Sequence, residues 1–412
     1  MPLKFLKRTC QLILIPIIVG MIVLAMLAGA YLLPTEGMKA HVRSTLDVFE
    51  KEGLYFNITG ERGERHDNFN EAIYLSQALV GAGDADLFSC VLTGHDFVYR
   101  DSGDPVANIT AAVTDPESVH VEDTWLRFFN GHVALIKPLL LVMGYTGIRL
   151  FCAYFCIAGT AWVGWLLHRR GLGRFIIPFL LAVLFLRPIA VWLSMTFTGF
   201  YACMLIPCIA MLLMKKETLR QKAWLVFGIT GSFTFCFNMN YFQLICFGIP
   251  MLMYFLIAGI PEKPMRVFLQ IADLFIAWII GYAGAMVFKW TLYAVFVDGS
   301  VFGKMFEHAL WRSGVDQGSR METILFNVRT GFGNIWWDLL EIGFILGTVI
   351  LRIRRRGRFV LSAAETMLLT IAALLPVIRV AALANHSMIH GDFVYRVFMI
   401  PVLAFNIFLA KE

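Results

Sequence analysis

QLILIPIIVGMIVLAMLAGAYLL, residues 11–33, follows Lys4, Lys7 and Arg8. A membrane-crossing helix needs about 20 mostly apolar residues, because the hydrocarbon core is about 30 Å thick and each helical residue rises about 1.5 Å. This run of 23 residues is long enough. It is also long for the apolar core of a signal peptide, and Tyr31-Leu-Leu-Pro34 is not a small-residue cleavage site. It is therefore the first membrane span, and the reading of the rest of the chain follows from it.

The composition agrees. Of 412 residues 58% are hydrophobic and 16% charged, against roughly 45–50% and about 25% in soluble proteins. Mean hydropathy is +0.70. These values exclude an ordinary soluble enzyme and a disordered chain. The net charge of +6 is not a nucleic-acid footprint, because the basic residues sit in short clusters between apolar runs. The expected fold is an all-α polytopic membrane protein of about ten transmembrane helices. Later spans are expected at 147–167, 175–193, 197–214, 223–240, 242–259, 267–290, 335–351, 360–380 and 394–410. The chain divides into 1–33 (tail and first span), 34–146 (outer loop with amphipathic and interfacial helices) and 147–412 (bundle with a second outer loop at 298–333).

Alternate connectors hold Arg169, Arg170 and Arg174; Lys215, Lys216, Arg220 and Lys222; Lys263 and Arg266; and Arg352, Arg354, Arg355, Arg356 and Arg358. With the N-terminus and Lys411 they account for 18 of 35 basic residues, while the opposite short turns hold none. Positive-inside bias places both termini in the cytoplasm, as in a bacterial plasma-membrane protein. Segment 128–145 tests this parity. It is apolar but short, and it contains His132, Lys137 and Pro138. It is expected as an interfacial or re-entrant helix shielded by protein. Asp273 is expected to pair locally, two turns from Arg266.

Residues 34–131 form an outer loop of 98 residues with 17 of the 29 acidic residues. A loop this long is expected to fold or to carry function. Within it 69–80 predicts an amphipathic helix, with Asn68 as N-cap and Glu71 completing a capping box. Cys90 alone among eight cysteines lies in an outer loop, so no disulfide framework forms there. Cys152 and Cys156 are four apart but lack His or Asp neighbours, which favours packing over metal ligation.

Ionisable residues at membrane depth are functional candidates by default. They gather at the outer ends of spans: Arg187 beside Pro188; Asn238, Asn240 and Gln243; and Arg379, Asn385, His386, His390, Asp392 and Arg396. Arginine holds phosphate through paired charge-assisted hydrogen bonds, and histidine bonds phosphate or moves a proton. A carboxylate in the adjoining loop could act as general base toward a hydroxyl. Asp67 leads the candidates, with Glu36 and the Glu122/Asp123 pair as rivals. The combination suits transfer of a sugar from a polyprenyl phosphate, where positive charge is needed on the leaving group. Each group also has a plainer reading: Asp67 as a helix cap, Arg187 as a cap on a kinked helix, His132 and Lys137 as anchors, and Asp392 as ion-pair partner of Arg396.

His66-Asp67-Asn68-Phe69 before the helix, Phe128-Phe129-Asn130-Gly131-His132 leading to Lys137-Pro138, and Asn385-His386-Ser387-Met388-Ile389-His390 with Phe393-Val394-Tyr395-Arg396 resemble GT-C superfamily membrane glycosyltransferases. The paired-acid signature just after the first span is absent; the first acid there is Glu36. The resemblance implies catalysis by Asp67, Glu36 or Asp123. It implies lipid-phosphate or substrate contacts from His132, Lys137, Arg187, Asn240, Asn385, His386, His390 and Arg396. It also implies a polyprenyl-phosphate sugar donor and an envelope glycan, lipid or protein as acceptor. The residues require no cofactor, and the resemblance leaves a divalent metal open. A transporter or lipid-linked-sugar flippase would favour internal repeats and polar groups at the bilayer midplane. A membrane acyltransferase usually lacks so long a first loop.

Cysteine labels at Ser44 and Arg356 are expected to react from opposite sides of the membrane. Reaction from one side would overturn the topology.

Overall fold

The structure is a computed structural model that describes residues 2–81, 83–100, 102–123, 125–237, 241–355 and 359–411. Six of the ten expected segments form helices long and apolar enough to cross a membrane: Leu6–Tyr31, Tyr145–Arg169, Met195–Leu213, Pro264–Phe296, Ala363–Ala382 and Gly391–Leu409. A seventh crossing is available if Arg320–Gly331 and Ile335–Arg354, bent by 80°, act together. The other segments are helical but shorter or more polar. Segment 175–193 breaks into Ile176–Phe185 and Pro188–Trp192 at Arg187, whose φ is 59°. Proline excludes the residue before it from the helical region, which explains the break. Ile245–Ala258 has 14 residues, about 21 Å at helical rise. Lys216–Phe237 begins with four charged residues in its first seven.

Close helix approach shapes the bundle. Lys216–Phe237 lies against Pro264–Phe296 with glycines on both sides. A Cβ at Gly231 would stand 2.0 Å from Trp278 O, and one at Gly281 would stand 2.0 Å from Gly228 O. Small residues let membrane helices meet backbone to backbone, which replaces the hydrophobic drive that lipid removes. Ser232 Oγ joins the seam, 3.1 Å from Gly228 O and 3.2 Å from Gly281 O.

The basic connectors do local work. Arg220 donates to Ala258 O at 2.5 Å and Arg170 to Met214 O, which satisfies carbonyls left open at helix C-termini. Asp273 pairs with Arg8 at 2.6 Å, across to the first span rather than locally toward Arg266. Lys411 pairs with Glu365.

At the other end of the bundle the long loop folds over the span ends. It contains a two-stranded antiparallel sheet, β1 (His95–Tyr99) and β2 (Val119–Asp123), with His95 opposite Asp123. The fold is otherwise helical, as expected, and the helix Pro105–Thr114 lies between the two strands. Segment 128–145 yields the helix Val133–Leu140, whose eight residues span about 12 Å and cannot cross a bilayer. The predicted helix appears as Asn68–Leu79, but it is buried on nearly every side rather than amphipathic. It is wedged among the span ends, and this buries the loop's polar residues inside the protein.

Gly231→Leu is expected to destabilise the protein by about 3 kcal/mol, the upper end of the overpacking range, because backbone cannot yield to the new side chain. Gly343→Leu, with nothing near its Cβ site, is expected to leave Tm in detergent unchanged. Equal Tm for both would refute the glycine seam.

Candidate functional site

Asp67, not Asn68, caps the buried helix: its carboxylate accepts from Asn70 N at 3.3 Å and from Asn70 Nδ2 at 2.6 Å. The sequence reading put Asp67 in an exposed loop; it is in fact 1% exposed. Burial pushes its carboxyl up to about 6, and the Asn70 bonds only partly oppose this. Asn70 Nδ2 also lies 2.7 Å from Tyr241 Oη. Glu71 does not complete a capping box on its own helix. Its carboxylate accepts from Ser194 Oγ (2.7 Å), Met195 N (3.1 Å) and Thr196 N (2.8 Å), at the N-terminus of the span Met195–Leu213. An anion there is favoured by the open amides and the helix dipole.

Tyr241 leads from Asp67 to the C-terminal imidazoles. Its ring lies 4.9 Å from that of His390 and 5.9 Å from that of His386, and the two histidine rings are 4.7 Å apart. Arg379 donates to Tyr241 O at 3.0 Å and to Ser387 Oγ at 2.9 Å. Beyond them stand Arg127, which meets His308 Nε2 at 3.3 Å, and Arg312. Burial, then the charges of Arg312, Arg379 and Arg127, hold the His390 imidazole down at about 4. Burial, then Arg312 and Arg127, does the same for His308. Burial and Arg312 also pull Arg127 down to about 10. Arg127, His308, Arg312, Arg379 and His390 are all half-buried, so the cluster keeps access to solvent. Among the described residues the buried Nε atoms of Arg127 and Arg312 have no hydrogen-bond partner. Three arginines gathered in this way suit an anion.

The other predicted site residues have different positions. Glu36 is exposed and 3.5 Å from Lys39. Asp123, at the end of β2, accepts from Tyr293 Oη at 3.1 Å. His132 stacks on Tyr74 at 3.5 Å and bonds Gln77 Oε1 at 2.8 Å. Lys137 Nζ donates to Ala78 O and Val80 O, both at 2.8 Å, and so caps the C-terminus of the buried helix. Asn385 joins Trp311 O (3.0 Å) to Asp316 (2.6 Å). Asn240 lies outside the described residues. Arg187 donates to Gly331 O at 2.9 Å, with Glu64 3.9 Å away.

Arg396 does not join His386 and His390. It is fully buried and donates to Leu186 O (2.8 Å) and Gly63 O (3.0 Å), behind the rings of Phe242 and Phe393. Nor does Asp392 pair with it: Asp392 binds Arg62 (3.2 Å) and Arg65 (2.5 Å). The motif residue His66 lies 3.2 Å from Arg149, which pairs with Glu52 at 2.9 Å.

The sequence reading gave no role to Asn70, Tyr241, Arg127, His308 or Arg312, and noted Arg379 without assigning it. A signal existed only for Arg379, an arginine inside an apolar run. Among the described residues no group of three His, Cys, Asp or Glu stands close enough to hold a metal ion. No family model, curated protein or solved structure matches the chain.

Glu71→Gln is expected to cost about 3 kcal/mol, since one amide oxygen cannot replace a carboxylate that takes three bonds. Arg396→Lys is expected to lower Tm while anion affinity is unchanged. A second check uses pH. Burial raises the Asp67 carboxyl from 3.8 to about 6. The folded state therefore favours the protonated form, and that stabilisation, roughly 3 kcal/mol, is present below about pH 4 and lost as pH rises through about 6. Asp67→Asn should lose less Tm than wild type between pH 4 and 7; an equal loss would refute the buried-carboxyl assignment.

Proposed function

We propose that the protein is a GT-C-like membrane glycosyltransferase of the bacterial plasma membrane, with ten crossings and both termini cytoplasmic. It moves a sugar from a polyprenyl-phosphate donor to an envelope glycan, lipid or protein on the outer face. The observation that carries this reading is the path from the Asp67 carboxylate through Asn70 and Tyr241 to a cluster of three arginines and two half-buried histidines.

The chemistry needs two poles. Asp67 takes the proton of an acceptor hydroxyl, whose oxygen forms the new bond to the sugar C1. The bond from C1 to the phosphate oxygen breaks, and its electron pair leaves with the lipid phosphate. Arg127, Arg312 and Arg379 stabilise the charge that develops there. With its carboxyl near 6, Asp67 is ionised at neutral pH and still basic enough to accept a proton. A groove of about 640 Å³ supports the lipid half of the reading. Its walls include Phe151, Phe155, Ile206, Pro207, Phe233 and His132. His132 stacks on Tyr74, one turn along the buried helix from Asn70.

The test is transfer from a polyprenyl-phosphate sugar by protein in nanodiscs. Asp67→Asn is expected to lose about 10²–10⁴-fold in rate with little loss of stability, because asparagine caps a helix about as well as aspartate. The wild-type rate should rise with pH through about 6 and then level off. Arg312→Gln should weaken donor binding. A near-normal rate for Asp67→Asn would remove the base, and unchanged donor affinity in Arg312→Gln would remove the phosphate site.

A further inference from the structure

The helix Val301–Ser313 contributes one face to the cluster and leaves another uncovered. His308 and Arg312, one turn apart, look toward Arg127, and Val301 on the same side is fully buried. Around the helix from them, Phe302, Phe306 and Leu310 recur every fourth residue, a spacing that aligns them in one stripe. They are 43%, 65% and 55% exposed.

The position of the helix in the fold indicates what covers this stripe. Val301–Ser313 has 13 residues, about 20 Å, and cannot cross a bilayer. It begins just after the span Pro264–Phe296 ends. That span has 33 residues, and the pairing of Asp273 with Arg8 marks its inner polar end. About 20 residues further on, the span reaches the outer edge of the hydrocarbon, near its C-terminus. Val295 and Phe296 there are exposed, so the lipid-facing surface of the span extends to the level where the helix starts. A helix with an apolar stripe on one face and basic groups on the other, lying at that level, has the form of an interfacial helix.

We propose that Val301–Ser313 lies in the outer-leaflet interface as a roof over the arginine cluster. Phe302, Phe306 and Leu310 are sunk among acyl chains and His308 and Arg312 face the cluster, which takes its anion sideways from a lipid phosphate headgroup. The lipid source rests on the phosphate reading above; the placement of the helix does not.

Full-length protein with Cys10→Ser and a single bimane-labelled cysteine (Phe306→Cys, Leu310→Cys or Lys304→Cys) is placed in phosphatidylcholine nanodiscs containing acyl-chain nitroxide lipid. Labels at 306 and 310 are expected to lose most of their fluorescence and the label at 304 little. Quenching of 306 and 310 by aqueous iodide instead, or their burial only in a cross-linked dimer, would overturn the placement. In a second arm, Tm is followed with phosphatidic acid in the nanodisc or with inorganic phosphate in the buffer. Phosphatidic acid should raise Tm in wild type and less so in Arg312→Gln and Arg127→Gln, with inorganic phosphate without effect. An equal rise with inorganic phosphate would overturn the lipid source. No rise with either anion, while nitroxide still quenches 306 and 310, would overturn the phosphate reading and uphold the placement of the helix.

Discussion

The carboxylate of Glu71, fully buried and held by Ser194 Oγ and the amides of Met195 and Thr196, is the interaction on which the loop-bearing half of the molecule depends. A charge this far from water is tolerated only where hydrogen bonds replace its hydration. The N-terminus of a span supplies them. At the other end of the same short helix, Lys137 satisfies the open carbonyls of Ala78 and Val80. The helix Asn68–Leu79 is thus fixed by a charged group at each end, one reaching into the bundle and one reaching in from Val133–Leu140. Asp67 and Asn70 have little freedom once these ties are made, so the candidate base is positioned by interactions that do not involve it.

The arginines fall into two groups by what they touch. Arg187 and Arg396 donate to carbonyls at helix ends and turns, and Arg149 pairs with Glu52. Arg8, Arg62 and Arg65 have carboxylates. These join separate parts of the chain. Arg127 and Arg312 instead stand near one another and near Arg379; burial and then the Arg312 charge disfavour the charge on Arg127. Such a gathering is costly in isolation and becomes favourable when an anion enters it. Residue type is the same in both groups; the difference lies in the partners.

How much of the site was legible can be seen from particular residues. Asp67 stood out because it precedes a helical pattern, although the cap falls on Asp67 itself rather than on Asn68. His386 and His390 stood out as polar groups in an apolar stretch, and they do meet. Arg396 looked equivalent to them by the same criterion. Yet Arg396, six residues beyond His390 in the turn Tyr395–Phe398, has the rings of Phe242 and Phe393 against its guanidinium and turns to Leu186 O and Gly63 O instead. Tyr241, Arg127 and Arg312 carried no local sign. They come from three connectors far apart in the chain, and nothing in any one of them indicates the others.

By itself the sequence indicated a multi-span membrane protein and a long loop with a helix near residue 68, but it expected ten spans where six helices are long and apolar enough to cross. These follow from length, hydropathy and charge, which act locally and add up along the chain. Tertiary structure alone decided that the loop helix is buried, that Glu71 caps a span, that Asp273 reaches Arg8, and that arginines from separate connectors converge beside Tyr241. Those outcomes depend on which open hydrogen-bonding groups and charges meet when helices pack. That is a property of pairs distant in sequence, and no local pattern encodes it.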